Sequence, residues 1–221
     1  RMDESMTEMV SSVKERGVLS PVLVRPMPDG SYQMVSGHRR KMAAELAELP
    51  TLPCIVRELT DDEAVIIMVD SNLQREQVLP SEKAFAYKMK LDAMRRQGQR
   101  TDLTSAPPGP KSRSNKELAE QSKRYIRLTN LMPELLDMVD NSVLKEKGQL
   151  QMALRPAVEL SYLTEAEQKD LLETMTVEDC TPSHAQAIKM RDFSEKGKLN
   201  ADVILSIMQE EKPNQVEQFK I

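Results

Sequence analysis

The sequence is poor in the residues that build disulfide frameworks, zinc sites and aromatic cores. Its 221 residues include two Cys, two His and no Trp, and aromatic residues make up only 3%. The two cysteines, Cys54 and Cys180, lack the spacing of metal ligands, so we expect a reducing cytoplasm and no structural zinc. The hydrophobic cores must therefore use aliphatic side chains and the 15 Met.

Long apolar runs are also absent. None approaches the roughly 20 residues that a transmembrane helix needs, and residues 1–4 do not resemble a signal peptide. We therefore expect a cytoplasmic protein with no membrane partner. Its length and 39% hydrophobic content suit one large or two small domains.

Positive charge is concentrated in one segment, although the net charge of the chain is −4. Residues 95–127 hold nine Lys and Arg against three Asp and Glu, a local charge of +6 that leaves −10 for the remainder. A basic segment in an acidic protein is typical of nucleic-acid binding.

The predicted fold class is α+β. Short strands alternate with helices over a small mixed α/β domain, 1–79, in which an alanine-rich helix covers 41–48. No convincing strand follows, so we predict a connecting helix over 80–100, an all-α domain over 101–180 and a helical extension over 181–221. The expected caps of the later helices are Thr164, Thr181 and Asn200.

Two short polar stretches are candidates for function. The first, Val35–Lys41, has a glycine between a strand and a helix and then three basic residues. Basic side chains are disfavoured at the positive end of a helix dipole unless an anion lies in front of them, which predicts a phosphate site. The second, Asp70–Glu76, combines Asn with Arg and carboxylates, a mixture that suits Mg²⁺ and phosphate.

Four blocks of the sequence together resemble the ParB family of chromosome and plasmid partition proteins. They are Gly17–Arg25, Ser36–Arg40, Ser71–Glu76 and Pro80–Ala84, and their order and spacing match the family as well as their residues do. The resemblance extends roughly over residues 2–172 and weakens after that. It implies a ParB/sulfiredoxin-like nucleotide-binding domain and a helix-turn-helix domain that binds DNA.

The resemblance also implies CTP and Mg²⁺ as cofactors. Arg39 and Arg40 would hold the triphosphate beside Gly37, Asn72 would help to hold the metal, and the turn that begins at Gly17 would face the base. The implied nucleotide-binding residues are Gly17, Ser20, Pro21, Gly37, His38, Arg39, Arg40, Ser71, Asn72, Arg75 and Glu76.

Two positions in these motifs depart from the family. His38 and Ser71 stand where family members often have Glu, and the carboxylate at the second position is commonly linked to metal binding and hydrolysis. A neutral hydroxyl compensates the charge of a cation poorly. We therefore expect nucleotide binding with slow CTP hydrolysis, and we assign no catalytic residue.

The predicted helix-turn-helix departs as well. Residues 115–121 resemble its first helix and 123–128 the end of its recognition helix, but roughly nine residues expected between them are missing. Either the motif is lost, or residues between Gln121 and Ser122 have been omitted. The intact flanking caps and basic residues favour the second alternative. The predicted DNA-contacting residues are Lys111, Arg113, Lys116, Lys123, Arg124, Tyr125, Arg127 and Arg155.

The main hypothesis is a nucleoid-associated partition protein. It would bind a palindromic, centromere-like duplex as a homodimer, switch with CTP, and engage a ParA-type ATPase through a segment outside this sequence. A regulator of transcription or nucleoid occlusion with the same fold is an open alternative. A sulfiredoxin-like enzyme is disfavoured, because its nucleophilic Cys would precede His38, where Gly37 stands.

Overall fold

The computed structural model describes residues 4–75, 77–100, 113–145 and 148–210. Three strands and ten α-helices lie in these ranges, with a 3-10 turn at Leu128–Asn130. In chain order they are α1 (Glu4–Arg16), β1 (Val22–Pro26), β2 (Tyr32–Ser36), α2 (His38–Leu46), β3 (Cys54–Val56), α3 (Asp61–Leu73), α4 (Pro80–Arg100), α5 (Arg113–Arg127), α6 (Pro133–Leu144), α7 (Leu154–Leu160), α8 (Glu165–Glu178), α9 (His184–Glu195) and α10 (Ala201–Met208).

The chain divides into two compact units, and α4 contributes residues to both. The first unit is Arg1–Glu76 with Met89–Ala106, and the second is Gln77–Lys88 with Pro107–Ile221. The strands all belong to the first unit, whereas the described part of the second is helical. The α+β fold class predicted from the sequence is confirmed. The finer division at residues 79, 100 and 180 stays a prediction.

The first unit is built on a three-stranded sheet with the order β2-β1-β3. The central strand, β1, pairs antiparallel with β2 and parallel with β3, and Val22 and Val24 of β1 are buried with Val35 of β2. Helix α1 packs against α2 through Met6 and Val13. It ends where Gly17, at φ 70°, donates its N–H to the carbonyl of Val13 at 2.9 Å.

A buried arginine fixes the start of α3 against the sheet. Arg25 of β1 is only 8% exposed and donates to Gln33 at 2.7 Å, to the Leu59 carbonyl at 3.2 Å and to Asp61 at 2.6 Å. The capping box of Thr60 and Glu63 then closes the first turn of α3, as predicted. Because α3 is held at its beginning, its far end has a defined position beside β2.

The second unit has an aliphatic core with a few fully bonded polar groups. Leu128, Leu135, Leu160, Leu171 and Met190 are completely buried, in keeping with the scarcity of aromatic residues. Two buried amides satisfy loop backbone groups, Gln168 next to the 3-10 turn and Gln186 at the end of α10, as buried polar groups require.

Three details of the predicted helices are wrong. Helix α2 begins at His38 rather than Lys41, because Gly37 acts as its N-cap. Ser183, not Thr181, caps α9, and the Thr181 hydroxyl donates instead to the Gln151 carbonyl at 2.9 Å. Residues 115–121 and 123–127 belong to one continuous helix, α5, so no turn separates them. Within the described ranges, no helix has the length and apolarity required to cross a bilayer.

Candidate functional site

The two polar stretches predicted to act together line one pocket of about 220 Å³ in the first unit. The end of β2 and the start of α2 supply one side, and the last turns of α3 supply the other. Met9 of α1 completes the wall. The lining residues are Met9, Val35, Ser36, Gly37, His38, Arg39, Arg40, Met68, Ser71, Asn72 and Arg75.

Only glycine fits at position 37. Its φ is 107°, and a Cβ added there would lie 2.6 Å from Val22 Cγ1, closer than atoms in contact can approach. This packing brings the first turn of α2, which contains no acidic residue, directly to the pocket. The N–H groups of a first turn have no partner within their own helix, and the dipole favours an anion there.

The arginines that follow Gly37 link the pocket to neighbouring segments. Arg39 Nη2 donates to the Ser5 hydroxyl of α1 at 3.1 Å. Arg40 Nη1 donates to the carbonyls of Ser20 and Pro21 at 2.8 and 2.6 Å. Arg40 therefore holds the turn before β1, which the family resemblance implies would face the base of a nucleotide.

A second cavity, of about 410 Å³, lies on the far side of Arg40. It shares Met9 and Arg40 with the first, and the turn at Gly17 and Ser20 forms part of its wall. Pro21 does not line either cavity, although its carbonyl accepts from Arg40. The charged residues that line the second cavity are Arg40 and Glu8, whereas those that line the first are basic.

A pair of serines closes the pocket between β2 and α3. Ser36 Oγ and Ser71 Oγ are 2.8 Å apart, a hydrogen bond in which either serine can donate. Neither Ser36, which lies within the first motif, nor Met9 of α1 was predicted to line the site. The position of Ser36 directly before the phosphate-turn glycine was the signal that could have identified it.

The pocket does not fit a resident Mg²⁺ held by the protein. Among its described lining residues the side-chain oxygens belong to Ser36, Ser71 and Asn72, and none is a carboxylate. Asp70, the nearest acid on α3, is engaged by Lys90 at 2.5 Å. Mg²⁺ is usually bound through one or two carboxylates together with substrate phosphates, so the metal role predicted for Asn72 lacks its partners here.

Comparison with known proteins identifies the domain that contains this pocket. The family model of the ParB N-terminal domain matches residues 2–73, which include the whole of the first polar stretch and the second as far as Leu73. Residues 2–73 form a ParB N-terminal domain.

The relatives of this domain include chromosome-partitioning proteins. Spo0J of Thermus thermophilus is 44% identical over 90 residues, which are 41% of this chain and 33% of that protein. The match therefore spans about a third of the relative's length. The predicted resemblance to the ParB family is confirmed.

Two solved structures of a C-terminally truncated ParB from Caulobacter crescentus resemble the chain only loosely. The complex with the centromeric parS site has a TM-score of 0.49 and 22% identity and covers 96% of this chain and 90% of the other. The complex with CTP-γ-S has a TM-score of 0.32 and 26% identity, with 80% and 88% covered. Scores this low reflect a loose overall likeness, and we take no ligand from them.

The cysteine required by a sulfiredoxin-like reaction is not in the pocket of the ParB domain. Cys54 lies exposed on β3, and no cysteine is among the described residues that line the pocket. A nucleophilic thiol must lie within reach of the bound phosphate. The enzyme alternative therefore has no support in this geometry.

Two of the predicted DNA-contacting residues are used in packing. Tyr125 is 9% exposed, and its ring lies 5.9 Å from that of Tyr87. The Arg127 guanidinium stacks 3.7 Å from the ring centre of Tyr162 and donates to the Ser161 carbonyl at 2.8 Å. Tyr125 contacts α4 and Arg127 contacts the two residues that follow α7, so we remove both from the set of proposed DNA contacts.

The remaining predicted cations divide between exposed and undescribed positions. Lys123 pairs with Glu120 at 2.7 Å. Arg124 of α5 and Arg155 of α7 are exposed. Each of them lines a different cavity, and Leu154 lines both cavities. Lys111 and Glu76 fall outside the described residues. The side chains of Arg113 and Lys116, in α5, are not among those described.

Proposed function

We propose that this chain binds CTP at the pocket between β2 and α3, as part of a DNA-partition protein of the ParB type. The observation that carries the proposal is the meeting of Arg39, Arg40 and Arg75 around the first turn of α2. Guanidinium groups bind phosphate oxygens in a forked geometry, and helix amides add further donors. A polyphosphate is the ligand that this combination suits best.

The second cavity suggests where the rest of the nucleotide lies. It shares Arg40 with the first pocket, and its lining includes Met9, Val18 and the turn residues Gly17 and Ser20. Backbone groups discriminate between bases through hydrogen bonds, since a buried polar group left unpaired weakens the binding of the wrong base. The proposed selectivity for CTP over the other nucleoside triphosphates resides in this turn.

Isothermal titration calorimetry with the four nucleoside triphosphates tests the proposal. We expect CTP to bind more tightly than ATP, GTP and UTP. Arg39→Ala should weaken CTP binding by about 1.5–3 kcal/mol, the usual contribution of a hydrogen bond to a charged group. Arg57→Ala is the matched control, because Arg57 is exposed and lines neither cavity. Equal losses in the two variants would refute the assignment.

The proposed partner of the second unit is double-stranded DNA with a palindromic site, bound by a homodimer. Supporting this are the exposed cations Arg124 and Arg155 and the partition function named for the relatives. A two-fold symmetric protein matches paired half-sites. A ParA-type ATPase and association with the nucleoid are further proposals that follow from the family.

Fluorescence anisotropy with a palindromic and a scrambled duplex tests the DNA proposal. We expect the palindromic duplex to bind more tightly, with two chains per site. Arg155→Ala should weaken the binding of both duplexes, since a backbone contact carries no sequence information. Unaltered binding in Arg155→Ala would exclude this residue from the interface.

A further inference from the structure

The pocket has an excess of positive charge that exists before any cation enters it. Three arginines and His38 line it, and no Asp or Glu is among the described lining residues. A divalent cation placed there would be repelled by the guanidinium groups, since like charges in a partly buried site interact strongly. The charge of a bound triphosphate would instead be compensated by the protein itself.

The Ser36–Ser71 pair strengthens this preference for an anion. Each hydroxyl has one proton to donate, and their mutual hydrogen bond at 2.8 Å uses one of the two. The other proton is left for an acceptor outside the pair. A phosphate oxygen is such an acceptor, whereas a cation would meet only the uncharged lone pairs of the two hydroxyls.

The carboxylate of α3 next to Ser71 is engaged by another residue. Asp70 is paired with Lys90 at 2.5 Å, whereas Asp62 lies in the first turn, at the opposite end of the helix, and is paired with Arg96 at 2.8 Å. Within the parts of the chain that the structure describes, no three acidic, His or Cys side chains are grouped to hold a metal. Among the described lining residues, a cation would therefore find only uncharged side-chain oxygens, those of Ser36, Ser71 and Asn72, beside the nucleotide.

We infer that the pocket binds its triphosphate without requiring Mg²⁺. The arginine and serine donors neutralise and bond the phosphate oxygens, as a divalent cation does at a site that contains carboxylates. The inference rests on the proposed nucleotide function and concerns how this particular chain neutralises the phosphates. Ser71 is the determining residue, because it stands at the end of α3 that faces Ser36 and Gly37.

The test is CTP binding to the whole chain by calorimetry, in excess EDTA and in excess MgCl₂. We expect the two dissociation constants to agree within about threefold, a small fraction of the binding free energy. A dissociation constant more than about tenfold weaker in EDTA overturns the inference but leaves the proposed CTP function intact. Absence of CTP binding in both buffers overturns the proposed function as well.

Two variants at one position separate charge from shape. Ser71→Glu places a carboxylate beside the phosphates, so its binding in EDTA should weaken by about tenfold or more and recover in Mg²⁺. Ser71→Gln has nearly the same size without the charge, and its dissociation constants in the two buffers should remain similar. Equal dependence on Mg²⁺ in the two variants overturns the inference. Ser71 is exposed, and circular dichroism confirms that each variant is folded.

Discussion

A methyl group at Gly37 should destabilise the first unit more than at any other described glycine. It would lie 2.6 Å from Val22 Cγ1 and 2.9 Å from Val22 Cβ. Val22 is 1% exposed, and its N–H bonds to the Pro53 carbonyl at 3.0 Å, so it has little room to move. Overpacking of this kind costs about 1–3 kcal/mol, and the positive φ adds about 1–2 kcal/mol. Gly37→Ala should therefore lower the free energy of unfolding by about 2–5 kcal/mol.

Urea denaturation followed by far-ultraviolet circular dichroism measures this loss, since the chain has no Trp for fluorescence. With a slope of about 2 kcal/mol per molar urea, the midpoint should fall by about 1–2.5 M. Gly30→Ala is the control, because Gly30 has a similar positive φ of 81° but nothing within 4 Å of an added Cβ. It should show only the strain. If the two variants lose the same stability, the close contact with Val22 is not the reason for glycine.

Three further results are expected. CTP hydrolysis should be slow and should rise in Ser71→Glu with Mg²⁺ present; a wild-type rate equal to that of the variant would contradict this. DNA affinity should fall with salt concentration, with a log–log slope of about −0.9 per neutralised phosphate. Lys116→Ala should weaken the binding of all duplexes alike, whereas Arg124→Ala should lose more affinity for the palindromic duplex than for the scrambled one. Equal losses on both duplexes in Arg124→Ala would refute base contact by Arg124. Hydrogen bonds from the Thr60 backbone, and then from its side chain, lower the pKa of Glu63. The stabilising effect of the Glu63 carboxylate is therefore complete above the pKa of Glu in the unfolded chain, about 4.3. It is lost as pH falls through the lower pKa of the folded state. Glu63→Gln should therefore flatten the acid limb of melting temperature against pH, and an unchanged limb would exclude the carboxylate as its cause.

The local structure of the ParB domain follows from short-range signals. A capping box at Thr60 and a glycine after α1 specify the ends of two helices through contacts within four residues. The start of α2 was predicted three residues too late, at Lys41 instead of His38, although an anion in front of the basic residues is compatible with the earlier start. The close contact of Gly37 with Val22 brings that start to the pocket, and this contact is invisible in the sequence.

The composition of the pocket could be predicted only in part. The two motifs were paired through their family resemblance, and the structure brings them together. The hydrogen bond between Ser36 and Ser71 joins residues 35 positions apart, and the Asp70–Lys90 ion pair joins α3 to α4. Both depend on how α3 packs against the sheet. These two contacts determine which charges face the ligand. The motifs alone therefore could not show whether the pocket prefers an anion or a cation.

The helical half shows why charge counting alone misleads. Arg124, Tyr125 and Arg127 are close together in the sequence, yet only Arg124 is exposed, while Tyr125 packs on Tyr87 and Arg127 stacks on Tyr162. Successive residues of one helix point in different directions, and α5 is one helix without a turn. A DNA surface here must therefore be built from cations on different elements that share a side of the unit. Arg124 and Arg155 are exposed and belong to different helices, and a double variant of the two should lose more affinity for DNA than Arg127→Ala.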